Sequence, residues 1–169
     1  MSGLVLLLKI AFVAYVVKIG ENMAVGRVIT VFEVKCRNNP GFIYQKVGET
    51  YMCLYWSTTG NNFSNAQLDC EGKGARLAVV NTPEKRNLLA GKSDTWIGLD
   101  DRQIEGRYMW HDGTELTDSQ RTDFFCYGQP DNWNDAEDCL HASIYCSAPH
   151  NINDGNCETI NKYLCEKVK

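Results

Sequence analysis

The sequence has no cluster of basic residues, no paired cysteines at metal-ligand spacing and no recognisable nucleophile motif. Its 17 lysines and arginines are outnumbered by 21 aspartates and glutamates, giving a formal net charge of −4. Phosphate binding needs clustered basic side chains, so a nucleic-acid partner is not expected. The absence of CxxC pairs or Cys/His clusters argues against structural zinc. Three scattered histidines without a serine or cysteine nucleophile motif argue against an enzyme.

The apolar segment near the N-terminus is too short to span a membrane. Residues 4–17 are apolar except for Lys9, whereas a bilayer core requires about 20 residues. Such a segment is typical of a signal peptide, and Ala24 and Gly26 favour cleavage after Gly26. We therefore predict a signal peptide over 1–26 and a secreted, extracellular protein with no membrane insertion after its removal. An uncleaved signal anchor is the alternative.

The sequence also lacks internal repeats, low-complexity segments and a heptad neck. With 169 residues, of which 44% are hydrophobic, the chain can form one globular domain with its own core. We predict this domain over 36–169, after a short lead segment of 27–35. A homo-oligomer, if one forms, must then use the domain surface, the lead segment or a spare cysteine.

Cysteine, in contrast, is abundant. An even number of widely spaced cysteines indicates a disulfide framework made in an oxidising compartment. Eight cysteines allow 105 pairings, among which spacing alone does not choose. They are Cys36, Cys53, Cys70, Cys126, Cys139, Cys146, Cys157 and Cys165.

Short elements of both kinds are predicted along the domain. Aromatic and β-branched residues over 43–56 favour a hairpin. A helix over about 65–73, capped by Ser64 or Asn65, and a second over 83–89 follow. This mixture of two helices and several short strands predicts an α+β fold. The remaining strands are expected at 76–80, 95–99, 107–110, 140–145 and 163–166, and a long loop at 114–138.

Oxygen-bearing side chains are concentrated in GQPDNWNDAEDC, residues 128–139, where a lone Trp133 lies among acids and amides. Calcium takes 6–8 oxygen ligands from carboxylates, amide and backbone carbonyls and water. The stretch is therefore a candidate calcium site. The alternative is an ordinary solvated loop, because Asn, Asp and Gly are common loop residues.

In order and spacing, several segments resemble the C-type lectin-like domain family. They are GARLAVVN (74–81), WIGLDD (96–101), EGRYMW (105–110), GQPDNW (128–133), EDC (137–139), INDGNC (152–157) and YLCE (163–166). The likeness extends from Cys36 to Cys165. It implies a long-form domain in which two short helices pack on small antiparallel sheets, with a long calcium-binding loop.

The resemblance also implies three disulfides: Cys70–Cys165, Cys139–Cys157 and Cys36–Cys53. Cys126 and Cys146 lie outside the common pattern. We predict that these two bond to each other, an intermolecular bridge being the alternative.

Two calcium sites follow from the same resemblance, and Glu137 is shared between them. The family usually has Trp where Ile152 stands, and we expect this change to affect packing rather than ligation. A cis Gln129–Pro130 bond is also implied. The sugar-binding calcium would be held by Gln129, Asp131, Glu137, Asn153 and Asp154, and the auxiliary calcium by Asp101, Glu105, Asn132, Glu137 and Asp138.

In this family the order Gln-Pro-Asp goes with galactose-type sugars, whose 4-hydroxyl is axial. The resemblance therefore implies galactose or N-acetylgalactosamine, with glycans on cell surfaces or glycoproteins as partners and a role in innate immune recognition or agglutination. The alternative is a structural protein that contacts mineral or another protein and has no sugar ligand. Asn62 begins an N-glycosylation sequon. The expected sugar contacts are Gln129, Asp131, Trp133, Glu137, Asn153 and Asp154, with Trp133 stacking on the apolar face of the ring.

Overall fold

A computed structural model describes residues 29–92, 94–148 and 150–168. The predicted signal peptide lies outside these ranges. Within them, none of the helices has the length and apolar character that crossing a lipid bilayer would require.

The described chain contains four short α-helices and eight strands. The helices are α1 (Val31–Arg37), α2 (Phe63–Gly72), α3 (Pro83–Arg86) and α4 (Asp118–Arg121), with 3₁₀ turns at Asn87–Leu89 and Trp133–Asp135. The strands are β1 (Phe42–Val47), β2 (Thr50–Trp56), β3 (Arg76–Leu77), β4 (Thr95–Asp100), β5 (Met109–Trp110), β6 (Cys139–Ala142), β7 (Ile152–Gly155) and β8 (Lys162–Lys167).

The strands form one mixed sheet in the order β1-β2-β8-β4-β6-β7, with β3 beside β8 and β5 beside β4. The β4–β8 pair is parallel and the other pairs are antiparallel. Helices and strands therefore combine as an α+β fold, which confirms the sequence prediction. Strand β7 ends the sheet, so its residues, among them Asn153 and Asp154, lie at the sheet edge.

Two apolar clusters hold the sheet together. The smaller one lies under α2, where Phe63, Ala66 and Cys70 are fully buried against Trp96 and the strands. Their spacing of three and four residues places them on one helix face. The larger cluster lies between the sheet and the long loop. It includes Leu54, Ile97, Leu99, Trp110, Phe124, Leu140 and Ile152.

The disulfides connect the helices and loops to this sheet. Cys36–Cys53 joins α1 to β2, and Cys70–Cys165 joins α2 to β8. Cys139–Cys157 links β6 to the segment after β7, and Cys126–Cys146 connects the long loop to the segment after β6. These are the pairs expected from the family resemblance and, for the last, from the two cysteines left over.

Some elements differ from the sequence prediction. Helix α1, which was not predicted, begins inside the proposed lead segment, where Thr30 accepts a hydrogen bond from the Glu33 N–H at 3.1 Å. Helix α2 is capped by Asn62, whose Oδ1 accepts from the Asn65 N–H at 3.0 Å, so the prediction of Ser64 or Asn65 as the cap is wrong. The Asn62 Nδ2, the atom a glycan would modify, donates to Glu158 at 3.0 Å.

Other elements have different bounds. The strand expected at 76–80 is confined to Arg76–Leu77, although residues 78–80 remain buried. The strand expected at 140–145 ends at Ala142, because the chain then turns at 143–146. The long loop contains α4 and buries Leu116, Phe124 and Phe125. It is therefore packed against the sheet over much of its length.

Candidate metal centre

Three carboxylates converge where the long loop meets β7. Oxygen atoms of Asp131, Glu137 and Asp154 lie within 4.8 Å of one another. Asp131 is exposed, Glu137 is half-buried and Asp154 is buried. Two of these residues come from the loop and one from the sheet edge. The fold thus gathers three of the five residues predicted for the sugar-binding calcium.

Asp154 connects the sheet to the loop through its carboxylate. One oxygen accepts from the Asn132 N–H at 2.8 Å and the other from the Asp131 N–H at 3.3 Å. Burial raises the pKa of Asp154, and the neighbouring charge of Asp131 adds to the shift. Burial likewise raises the pKa of Glu137, again with contributions from nearby carboxylates. Such crowded negative charge is relieved by a cation, so the residues present fit a hard, oxygen-liganded ion.

The loop reaches this geometry through an unusual backbone path. Asn132, Asn134 and Asp135 have φ values of 41°, 59° and 50°, in the left-handed region that Asn and Asp tolerate best among residues with side chains. The Asn132 side chain accepts from the Glu137 N–H at 3.1 Å, and Glu137 in turn accepts from the Trp133 N–H at 3.2 Å. These reciprocal bonds hold the ends of the turn together, and Trp133 within it is 68% exposed.

The two amides of the predicted set lie at the margins of the carboxylate group. The Gln129 Oε1 accepts from the Asp131 N–H at 3.1 Å, and the Gln129–Pro130 bond is cis. The Asn153 Nδ2 donates to the Asp154 carbonyl at 2.6 Å. Both amides therefore lie beside the carboxylate cluster.

His141 belongs to the same region, although its side chain was not singled out from the sequence. Its Nε2 lies 3.4 Å from the Asn153 Nδ2, and its ring packs edge-on against Trp96 at 5.4 Å. It lines a cavity of about 360 Å³ together with Trp133, Glu137 and the β7 residues. Strand alternation could have indicated this position, because burying Leu140 in the main core turns His141 to the opposite face of β6.

Among the residues predicted for the auxiliary calcium, Asp101 lies near the charges of Glu105 and Asp138. Asp101 is 1% exposed; its Oδ2 accepts from the Gly106 N–H at 2.8 Å, and its Oδ1 has no hydrogen-bond partner among the described residues. Burial raises the pKa of Asp101 to about 6, with further contributions from the charges of Glu105 and Asp138. An unpartnered buried carboxylate oxygen beside other carboxylates fits a cation. The side-chain oxygen of Asn132, another residue predicted for this site, accepts a hydrogen bond from the Glu137 N–H at 3.1 Å.

Comparison with protein families gives a match over the region that contains both sets of predicted calcium ligands. A model described as the lectin C-type domain matches residues 59–167. Human C-type lectin domain family 4 member E is 32% identical over 120 residues, covering 69% of this chain and 54% of that protein. Mouse asialoglycoprotein receptor 2 is 32% identical over 123 residues, covering 68% and 38%, respectively. The chain therefore spans about half, or less, of the length of these relatives.

Solved structures show the same likeness. The mouse scavenger receptor C-type lectin carbohydrate-recognition domain is 30% identical with a TM-score of 0.63, covering 77% of this chain and 95% of that chain. The trimeric Kupffer cell C-type lectin receptor is 29% identical with a TM-score of 0.65, covering 82% and 88%. Herring type II antifreeze protein, 23% identical with a TM-score of 0.61 and coverage of 77% and 98%, shares the fold.

Proposed function

Because the chain belongs to the C-type lectin domain family, we propose that it is a secreted lectin that binds galactose-type sugars through calcium. The observation that supports this proposal best is the convergence of the Asp131, Glu137 and Asp154 carboxylates at an open loop. The family assignment makes the domain a C-type lectin-like carbohydrate-recognition domain. Calcium dependence, sugar preference and secretion are the parts that require experiment.

The metal would be held by side-chain oxygens that already lie together or at the margins of the group. A bound calcium ion supplies open coordination positions that can accept two adjacent hydroxyls of one sugar. Around it, each carboxylate can accept a hydrogen bond from a sugar hydroxyl, while each amide N–H donates a hydrogen bond to a hydroxyl oxygen. The ligands are Gln129, Asp131, Glu137, Asn153 and Asp154, with Asp101, Glu105, Asn132, Glu137 and Asp138 proposed for a second ion.

The order of amide and acid supports the proposed sugar preference. Gln129 supplies the amide and Asp131 the carboxylate, the arrangement that the resemblance associates with an axial 4-hydroxyl. Trp133 adds a large exposed ring beside the carboxylates. Galactose has a continuous apolar C–H face on which such a ring can stack. Exposure of the indole favours this role over a place in the core.

Retention on a galactose resin tests the proposal directly. The protein should bind galactose-agarose in calcium and elute with a chelator. Failure to bind any sugar resin, while calcium still raises the melting temperature, would contradict the lectin function. That result would favour the structural alternative, in which the calcium-loaded loop contacts mineral or another protein.

A double substitution tests the basis of the preference. Gln129→Glu with Asp131→Asn reverses amide and acid, so binding should shift from galactose towards mannose. Competition by the two methyl glycosides measures the shift, and the Tyr51→Ala variant, on the distant N-terminal hairpin, serves as a control. Unchanged galactose selectivity would show that these residues do not set the preference.

A single shallow site binds weakly, and millimolar affinity corresponds to only about −4 kcal/mol. Several linked copies raise the effective affinity without new contacts. We therefore include a homo-oligomer in the proposal, to be checked by sedimentation of the secreted protein.

A further inference from the structure

The Cys126–Cys146 disulfide joins two tight turns. The first spans Cys126–Gln129, where the Gln129 N–H donates to the Cys126 carbonyl at 3.0 Å. Gly128 at its third position has a φ of 84°, which suits a type II turn. The second turn spans Ser143–Cys146, with the Tyr145 N–H donating to the Ser143 Oγ at 3.3 Å. The bridged Cα atoms are 5.8 Å apart, so the two turns lie side by side.

Each turn exposes a tyrosine next to its bridged cysteine. Tyr127 has a relative exposure of 105% and Tyr145 of 88%, and the neighbouring Ile144 is 53% exposed. With consecutive Cα atoms about 3.8 Å apart, the Cα atoms of the two tyrosines lie within roughly 13 Å of each other. A tyrosine on a braced turn offers a large contact area at a small cost in conformational entropy.

These turns are continuous with the candidate sugar site. Tyr127 lies two residues before Gln129 in the same turn, so their Cα atoms are less than about 7.6 Å apart. The Cys126 N–H donates to the Ile152 carbonyl at 2.8 Å, one residue before Asn153. The second turn is bonded to the residue that precedes β7, because the Ser143 N–H donates to the Asn151 carbonyl at 2.8 Å.

We propose that Tyr127 and Tyr145 form a second subsite, which binds the sugar residue next to a terminal galactose. This inference rests on the proposed function of the neighbouring site. A sugar fits because its C–H face stacks on an aromatic ring while its hydroxyls can bond to the phenol oxygens. The turns that carry the rings also contain Ser143 and the backbone of Gly128, so the surroundings are more polar than those of a site for a lipid chain.

The test compares one sugar with longer glycans that contain it. Dissociation constants are measured in calcium for methyl galactoside and for a panel of galactose-terminated trisaccharides with different linkages. The proteins are the wild type, Tyr127→Ala, Tyr145→Ala and their double variant, with Tyr51→Ala as the control. Tyr51 is 39% exposed on β2, which lies near the end of the strand order opposite to β7.

At least one trisaccharide should bind the wild type more tightly than methyl galactoside. Each alanine substitution should raise the dissociation constant of that trisaccharide by about two- to tenfold, the effect expected from losing one stacked ring. Methyl galactoside affinity should remain unchanged in every variant, which also shows that the variants are folded. Tyr51→Ala should bind both ligands as the wild type does.

Two results would overturn the inference and are distinguishable from failure of the proposed function. If the wild type binds methyl galactoside but no trisaccharide more tightly, the second subsite does not exist. If the tyrosine variants bind the preferred trisaccharide normally, other residues form the subsite. If the wild type binds no sugar at all, the proposed function itself fails, and the subsite with it.

Discussion

Replacing Asp101 by asparagine tests whether the buried negative charge at the auxiliary site destabilises the fold when no cation is bound. Asp101 is almost fully buried, has one oxygen without a partner among the described residues, and lies near Glu105 and Asp138. Its pKa is therefore raised from 3.8 to about 6. The proton on Asp101 contributes stability that is complete below pH 3.8 and is lost as the pH rises through about 6. Asparagine has no charge at any of these pH values.

The size of the effect follows from the shift. One pKa unit corresponds to about 1.4 kcal/mol. Between about pH 4.5 and about pH 7.5, the wild type should lose about 2 kcal/mol of unfolding free energy through this group. The variant should lose none through position 101. In chelator, Asp101→Asn should thus gain about 2 kcal/mol relative to the wild type over that interval.

Urea unfolding followed by tryptophan fluorescence measures this difference. In calcium near neutral pH, the wild type should be stabilised more than the variant, because the variant lacks a ligand that the wild type offers. Asp118→Asn is the control, since the Asp118 side chain is 102% exposed, and it should stay within about 0.5 kcal/mol of the wild type throughout. If the difference in unfolding free energy between Asp101→Asn and the wild type does not change with pH, the charge of Asp101 does not destabilise the fold. Equal stabilisation of both proteins by calcium would show that Asp101 is not a ligand.

Other substitutions separate the roles of metal, sugar and packing. Asp154→Asn should abolish both the calcium-dependent rise in melting temperature and retention on galactose-agarose; retention in calcium would exclude Asp154 as a ligand. Trp133→Ala should weaken methyl galactoside binding about two- to tenfold and change the unfolding free energy by less than about 0.5 kcal/mol, and an unchanged dissociation constant would remove the ring from the site. Gly98→Ala should cost about 1–3 kcal/mol in urea unfolding, because its Cβ would lie 2.4 Å from the Leu77 carbonyl oxygen. Gly72→Ala, which meets nothing within 4 Å, should be neutral or slightly stabilising, and an equal loss in both glycine variants would contradict the steric explanation.

Local sequence patterns suffice to predict those elements whose residue types favour the backbone conformation that the structure has. The hairpin of β1 and β2 turns at Gly48, which has a φ of 56° as a tight turn requires. Helix α3 begins at Pro83, after Thr82 as its cap, and both positions follow from the chemistry of helix starts. In these cases the sequence contains the local cause of the structure.

Strand β7 shows where such patterns fail. Its residues Ile152–Gly155 include Asn, Asp and Gly, which are depleted in strands. It forms because Ile152 is buried in the main core and the backbone pairs with β6, with Leu140 opposite Asp154. These partners are distant in sequence, so tertiary contacts override the local preference. The family resemblance implies metal ligands in this segment, but the local sequence pattern does not predict that it is a strand.

The same tertiary pairing determines which side chains of the site were found. The family resemblance implies Asn153 and Asp154 as ligands, whereas it does not imply His141, which is one of three scattered histidines in the sequence. The register of β6 and β7 places His141 opposite Asn153, so the strand pair that buries Asp154 also brings the imidazole to the same cavity. The resemblance thus supplies the carboxylate and the amide at the sheet edge, but their neighbour His141 follows from strand register. Register in turn depends on which face of β6 is buried, and here that is decided by Leu140 in the core.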